Sequence, residues 1–493
     1  MKAVKRTILR SSLAAAVSIL AVVVTFIPAN AASSYPKYVF FFIGDGMASS
    51  QVNSAEVYLS ELKAPVPPGV PSRTRLSMST LPVHGMATTF GHSSYIPDSA
   101  DAGTALATGK KTNSGIISMD PTGTTPYTSI ATLAKRKGMK VGIVSSVSID
   151  HATPAVFYAN QPSRSNYYAI AMTMANSDFD YFGGGGVKEM NGKNGSQPSV
   201  KDAAVANGFV WADTRAAFNA LKPGKKAIAI NPILDADKAL YYELDRKHQA
   251  GMTDHISLAQ FTNKGIQLLD NPNGFFMMVE GGKIDWACHA NDARASIDDT
   301  IALSNAVRVA LDFYNQHPND TLIVVTADHE TGGMTLGWAG TKYDTHFEVL
   351  QGQNKSYMEL DKDIAAYKAN GQPHVDIDAT MKQMIQQSFG LDFDTLKAYE
   401  KEDLEAAYDR TMGAAAVDPD RDYLLYGGYT PLSITLTHVL DQHAGIGWTS
   451  YSHTGVPVPV FATGAGSEAF AGFYDNTTIA KSLANAMLVH LAN

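Results

Sequence analysis

Ser99, in PDSADAGTALATG (97–109), has a nucleophile's setting without a nucleophile's usual base. An aspartate precedes it, small residues and helix formers follow, and the stretch contains no histidine. A helix N-terminus there would offer backbone N–H groups and the positive dipole end to an anion. Plain capping by Ser99 needs the same position. Metal chemistry can replace the missing base, because a zinc-bound hydroxyl loses its proton far more easily, as zinc-bound water does. Two metals about 4 Å apart can clamp the attacking and leaving oxygens of an in-line phosphoryl displacement.

The chain carries residue types suited to such metals. IDWACHAND sets Asp285 and His289 four residues apart, on one face of a helix. YSHTG offers His453 as a third ligand, TADHE offers Asp328 and His329, and GDG offers Asp45. Imidazole and carboxylate suit zinc, and the oxygens of Glu280 and Thr153 suit magnesium. Singly, each has an ordinary explanation. A GDG aspartate is usually a turn residue, an Asp-His pair usually incidental, and Thr153 before Pro154 a local cap. GTALATGKK is no phosphate-binding P-loop: its glycines are one residue too far apart, and Lys111 follows Lys110 where Ser or Thr belongs. Cys288, the single cysteine, forms no intrachain disulfide and reads as a buried, inert thiol.

What gives the set weight is where its members fall. YVFFFIG (38–44), KVGIVSSVS (140–148), GFFMMVEGG (274–282), TLIVVTADH (321–329) and VPVPVFATG (456–464) are short apolar runs without alternation, as in parallel strands covered on both faces. Helical stretches lie between them, YTSIATLAKRKG (127–138) and ASIDDTIALSNAVRVALDFYNQ (295–316) among them. Strand and helix in alternation predict an α/β chain: a three-layer α/β/α sandwich around a large, mostly parallel sheet. Asp45, His151 with Thr153, Glu280 with Asp285 and His289, and Asp328 with His329 all follow strand ends, where open α/β sheets bind ligands. Residues 341–450 are more polar, with charged helical stretches such as FDTLKAYEKEDLEAAYDRTMG (393–413), and read as an inserted, crown-like region packed on the sandwich.

Bulk properties narrow the setting. The 493 residues are 45% hydrophobic and 17% charged, ordinary for a globular chain. MKAVKRTILR, the apolar SSLAAAVSILAVVVTFIP and the small-residue ANA make residues 1–31 a secretory signal peptide, with a periplasmic or secreted mature chain 32–493. No later segment reads as a membrane span. Residues 1–31 hold four basic and no acidic residues, so their removal takes the net charge from −8 to −12. That charge offers nucleic acid and anionic membranes no broad attraction.

IGDGM, PDSADAGTALATG, HATPA, VEGGKIDW with CHAND, TADHETGG and SHTG resemble, in the same order, the motifs of bacterial and animal alkaline phosphatases, from about Tyr38 to the end of the chain. The resemblance implies a metal-dependent hydrolase of small-molecule phosphate monoesters with a phosphoserine at Ser99. It implies two Zn2+, one held by Asp285, His289 and His453, the other by Asp45, Asp328 and His329. One Mg2+ would sit with Asp45, Thr153 and Glu280, and Arg164 in PSRSNYY would grip the phosphate. A bidentate guanidinium suits that task. His151 and Trp286 stand where enterobacterial members carry Asp and Lys, at positions expected to lie behind the magnesium ligands. Asp101 replaces a small residue and is expected to face solvent or the entrance. A homodimer is the family's usual state. Two other readings stay open: a phosphodiesterase or sulfatase of the same superfamily, and a non-catalytic protein that stores or senses zinc or phosphate.

Overall fold

A ten-stranded sheet runs through the centre of the computed structural model, which describes residues 35–63, 73–371, 376–414 and 418–491. The signal peptide expected at 1–31 lies outside the described residues. In chain order the strands are β1 (Tyr38–Ile43), β2 (Val83–Thr88), β3 (Lys140–Ser145), β4 (Tyr181–Gly184), β5 (Phe209–Ala212), β6 (Lys226–Ile230), β7 (Phe275–Glu280), β8 (Thr321–Thr326), β9 (Glu330–Thr331), β10 (Thr335–Leu336), β11 (Ile446–Gly447), β12 (His453–Thr454), β13 (Val458–Gly464) and β14 (Gly472–Asp475). The sheet order is β14-β2-β13-β8-β1-β7-β3-β4-β6-β5, and two short pairs, β10-β11 and β9-β12, stand apart from it.

Every residue of β1, β7 and β8 is buried, which explains their unbroken Phe, Met, Val and Ile content. Helices cover both faces; the longest, Ala293–Tyr314, packs on Leu258–Leu269. The sandwich expected from the alternation is therefore present. One strand departs from it. VPVPVFATG reads as another parallel strand, but β13 runs antiparallel to both β2 and β8. A buried apolar run carries no record of its direction. The reversal matters, because the start of β13 then lies at the same sheet edge as the ends of its neighbours.

Other boundaries shift locally. The helix in 127–138 spans Ile130–Arg136, because the Ser129 hydroxyl accepts from the Thr132 N–H and sets its start. The stretch 393–413 divides into a 3-10 turn, Phe393–Thr395, and a helix, Ala398–Met412. The described elements between β10 and β11 are all α- or 3-10 helices, and Phe347, Leu360, Leu404 and Leu436 join the same apolar core as Phe40 of β1.

Candidate active site

Four adjacent strands end level with one another. Ile43 pairs with Thr326 on one side and Glu280 on the other, and Glu280 pairs with Ser145. The segments leaving β8, β1, β7 and β3 thus share one short stretch of rim. Asp45 enters through a turn in which Gly46 takes φ 72°, where a side chain would press within 2.9 Å of the Asp285 backbone. Asp285 and His289 come from the helix Lys283–His289 after β7, and Asp328 and His329 follow β8. His453 lies in β12, just before β13, and reaches this edge because β13 is reversed.

Three groups of potential ligands result, each with donor atoms within 4.8 Å of one another: Asp285, His289 and His453; Asp45, Asp328 and His329; and Asp45, His151 and Glu280. In the first, His289 Nε2 lies 3.1 Å from His453 Nε2, and the two stand 3.4 and 3.5 Å from Asp285 Oδ1. In the second, His329 Nε2 is 3.2 Å from Asp45 Oδ1 and 3.7 Å from Asp328 Oδ2. The Thr153 hydroxyl lies between, 3.4 Å from Asp45 Oδ2 and 3.3 Å from Asp328 Oδ2.

His151 of the third group is buried, with the Trp286 ring edge-on at 5.9 Å. Arg164 Nη2 lies 3.1 Å from His151 Nε2. A guanidinium only donates, so Nε2 accepts and the ring proton sits on Nδ1. Asp45 Oδ1, Glu280 Oε1 and His151 Nδ1 are buried without a hydrogen-bond partner.

The electrostatics call for cations. Four buried carboxylates, Asp45, Glu280, Asp285 and Asp328, share this region. Burial, then Asp328, Asp285 and Glu280, push Asp45 well above the usual range. Burial pushes Glu280 up to about 8, and burial with Asp285 brings Asp328 to about 7. Burial would also raise Asp285, but the imidazoles of His289, His453 and His329 outweigh it and hold it well below the usual range. Burial disfavours a charged His289, yet Asp285 lifts it to about 9. Buried charges are paired or coordinate metals, and here the carboxylates outnumber the cationic partners. The orphaned oxygens and the nitrogen–oxygen donor sets fit metal ions.

Ser99 opens the helix Ser99–Thr108 and is buried. It is not the cap. Asp98 is, its Oδ1 accepting from the Ala100 and Asp101 N–H groups at 3.1 and 3.0 Å. Ser99 Oγ is thereby left free of capping and lies 3.3 Å from His329 Nε2. Asp98 Oδ2 also accepts from Arg164 Nη1 at 3.1 Å and from the Gly115 N–H at 2.9 Å. One carboxylate, absent from the expected site, therefore ties the serine helix to the arginine. Its sequence signal was its place directly before Ser99. A cavity of about 390 Å³ joins Ser99, Arg164, His151, Asp285, His289 and His453. Trp286, Tyr357 and Tyr429 form part of its wall, and the last two come from 341–450.

Asp101 corrects another expectation. It faces neither solvent nor the entrance; it is 1% exposed, and neither carboxylate oxygen has a partner. A position two residues along a helix turns about 200° away from Ser99, into the protein here. Burial, with Asp98 nearby, pushes its carboxyl up to about 8. Cys288 is fully buried, and burial raises its thiol far above the usual value.

The family model of alkaline phosphatase matches residues 36–489. The chain belongs to the alkaline phosphatase family. Alkaline phosphatase 3 of Bacillus subtilis (strain 168) is 31% identical over 464 residues, 92% of this chain and 89% of that one. Among solved structures, the cold-active alkaline phosphatase of the psychrophile Shewanella sp. gives a TM-score of 0.74 at 29% identity, covering 91% of this chain and 99% of that one. The alkaline phosphatase of the Antarctic bacterium TAB5 gives 0.62 at 25%, covering 92% and 99%. Variants of the TAB5 enzyme with a histidine replaced by glutamate or aspartate hold Mg in a site named M3. Alkaline phosphatase membership makes this protein a phosphoric monoester hydrolase.

Proposed function

We propose that the protein is an exported, metal-dependent alkaline phosphatase that hydrolyses a broad range of phosphate monoesters through a phosphoserine at Ser99. One observation carries this: an uncapped serine hydroxyl, an arginine and the Asp285, His289 and His453 group line a single cavity, and the serine lies 3.3 Å from His329 of the second ligand group. Asp285, His289 and His453 hold one zinc, and Asp45, Asp328 and His329 hold a second. Asp45, Glu280 and Thr153, with His151 alongside, hold a magnesium. That the TAB5 variants hold Mg in a site named M3 supports a magnesium-type third site here. The leader supports export, and a homodimer is the assembly proposed.

Bound there, the cations lower the proton affinity of the serine hydroxyl and of water and neutralise charge growing on oxygen. Arg164, steadied by Asp98, donates two N–H groups to the phosphoryl oxygens and fixes the phosphorus before Ser99. Ser99 Oγ, its proton released to solvent, forms the bond to phosphorus as the bond to the leaving oxygen breaks, and the alcohol departs with a proton from solvent. Water then attacks the phosphoserine, returning the Ser99 hydroxyl and releasing phosphate.

A second reading has one observation in its favour. His329 Nε2, 3.3 Å from Ser99 Oγ, has the geometry of a general base. The same nitrogen points at Asp45 and Asp328, and a nitrogen that ligates a metal has no lone pair for a proton. Quenching turnover in acid and mapping the phosphoprotein by mass spectrometry tests the covalent route. Phosphate on Ser99 is expected; labelling elsewhere, or none during turnover, contradicts it.

A further inference from the structure

We propose that Tyr429 selects the leaving group, favouring phosphate monoesters whose alcohol is planar and aromatic over small alkyl esters. The inference rests on the monoesterase reading and assigns the substrate class of that same site.

The cavity has two unlike halves. Ser99, Arg164, His151 and the Asp285 group supply charge and hydrogen bonds, which suit a phosphoryl group. Trp286, Tyr357 and Tyr429 supply aromatic surface and belong to a small apolar cluster separate from the main core, with Tyr242 and Ile434. Tyr357 is buried, its ring edge-on to Tyr429 at 5.6 Å and 6.1 Å from Tyr242. Tyr429, like Trp286, is only partly buried, and it comes from the 341–450 segment rather than from the sheet rim. An ester with its phosphorus before Ser99 has this aromatic half, with Asp237 beside it, within the same cavity for its leaving group.

The chain is shaped to place this residue. Tyr429 follows Gly427 and Gly428, both left-handed at φ 61° and 85°. A side chain on Gly427 would come within 2.3 Å of the Tyr451 ring. The hydroxyl of Tyr451 donates to the Leu425 carbonyl, and its own carbonyl binds His289 Nδ1 at 2.6 Å. The turn bearing Tyr429 is therefore anchored to a residue that also holds a ligand histidine. Aromatic rings pair edge-to-face or offset-stacked, beyond the effect of area alone, so a planar leaving group gains where a small alkyl group does not.

The test compares inhibition by phenylphosphonate and methylphosphonate, which share the phosphoryl dianion and are not hydrolysed. Metal-loaded wild type, Tyr429→Ala, Tyr429→Leu and Tyr429→Phe are measured alongside p-nitrophenyl phosphate turnover. Wild type is expected to bind phenylphosphonate the more tightly. That preference falls roughly three- to tenfold in Tyr429→Ala, falls in Tyr429→Leu, which keeps the bulk, and survives in Tyr429→Phe. An equal preference in wild type and Tyr429→Ala overturns the proposal, as does weakening of both inhibitors by one factor. Wild type that hydrolyses p-nitrophenyl phosphate but binds both phosphonates alike rejects the role of Tyr429 alone. Wild type that hydrolyses no monoester rejects the hydrolase reading and this inference with it.

Discussion

The sheet rim and the helical segment 341–450 meet at one cavity and build their shares of it differently. The rim places charged and metal-binding groups on turns that leave four level strands, so backbone pairing across the sheet fixes their separations. The segment between β10 and β11 contributes Tyr357 and Tyr429, held by aromatic packing and a glycine turn. The rim's tolerances are set by hydrogen-bonded registers, and those of the wall by packing. Chemistry that needs atoms fixed to fractions of an ångström belongs on the first, and selection among leaving groups can rest on the second.

If that division holds, damage to the rim costs most. Asp328→Asn leaves His329 and Asp45 without their carboxylate partner. Bound zinc, read by atomic absorption, is expected to drop by about half of the full complement, with kcat falling at least about 100-fold. Full zinc with full activity would remove Asp328 from the ligand set. Next comes Arg164→Ala, which removes a pair of charge-assisted hydrogen bonds. Inorganic phosphate should inhibit roughly 10- to 100-fold more weakly, with zinc content retained. An unchanged inhibition constant would detach Arg164 from the phosphate.

The seam between the two regions is probed through Lys283. Its ammonium is buried, 2.7 Å from Asp235 Oδ2, and sits over the Tyr242 and Trp286 rings at 3.8 and 4.7 Å. Lys283→Met leaves Asp235 buried without its partner, a cost of about 3–5 kcal/mol. Thermal unfolding should shift down by several degrees, whereas Lys283→Met with Asp235→Asn, which keeps the oxygen that accepts from the Asp237 and Ala239 N–H groups, should recover most of the loss. No recovery in the double variant would mean the pair is not the source of the cost.

The smallest effect concerns Asp101. Its carboxyl titrates near 8 in the folded protein against 3.8 unfolded, so the neutral form is the one the fold favours. Its contribution to stability is complete below pH 3.8 and is lost as pH rises through about 8. Asp101→Asn should therefore match wild type in acid and unfold at a higher temperature at pH 9. A variant no more stable at pH 9 would show that the buried carboxyl carries no such penalty.

Much of the rim was legible because its ligand-type residues directly follow apolar strand runs. Asp45, Glu280 and Asp328 could be placed from that alone, and Asp285 with His289 from helical spacing. His453 could be suspected, but its route to the rim depends on the reversed direction of β13, which an apolar run does not encode. Asp101 was misjudged because a charged residue near a nucleophile suggests an entrance, whereas helix geometry turns it inward. Tyr429 left almost no sign beyond its paired glycines, because a packed aromatic wall has no fixed spacing in sequence.

The central claim is that Ser99 works only beside bound cations. Release of p-nitrophenolate at alkaline pH tests it most directly, comparing purified wild type, the chelated protein, the protein reloaded with zinc and magnesium, and Ser99→Ala. The account predicts that turnover vanishes on chelation and returns with the metals. Ser99→Ala, loaded with the same metals, should fall by at least about 1,000-fold. Chelated enzyme that keeps its turnover would contradict the claim and hand the proton of Ser99 to His329.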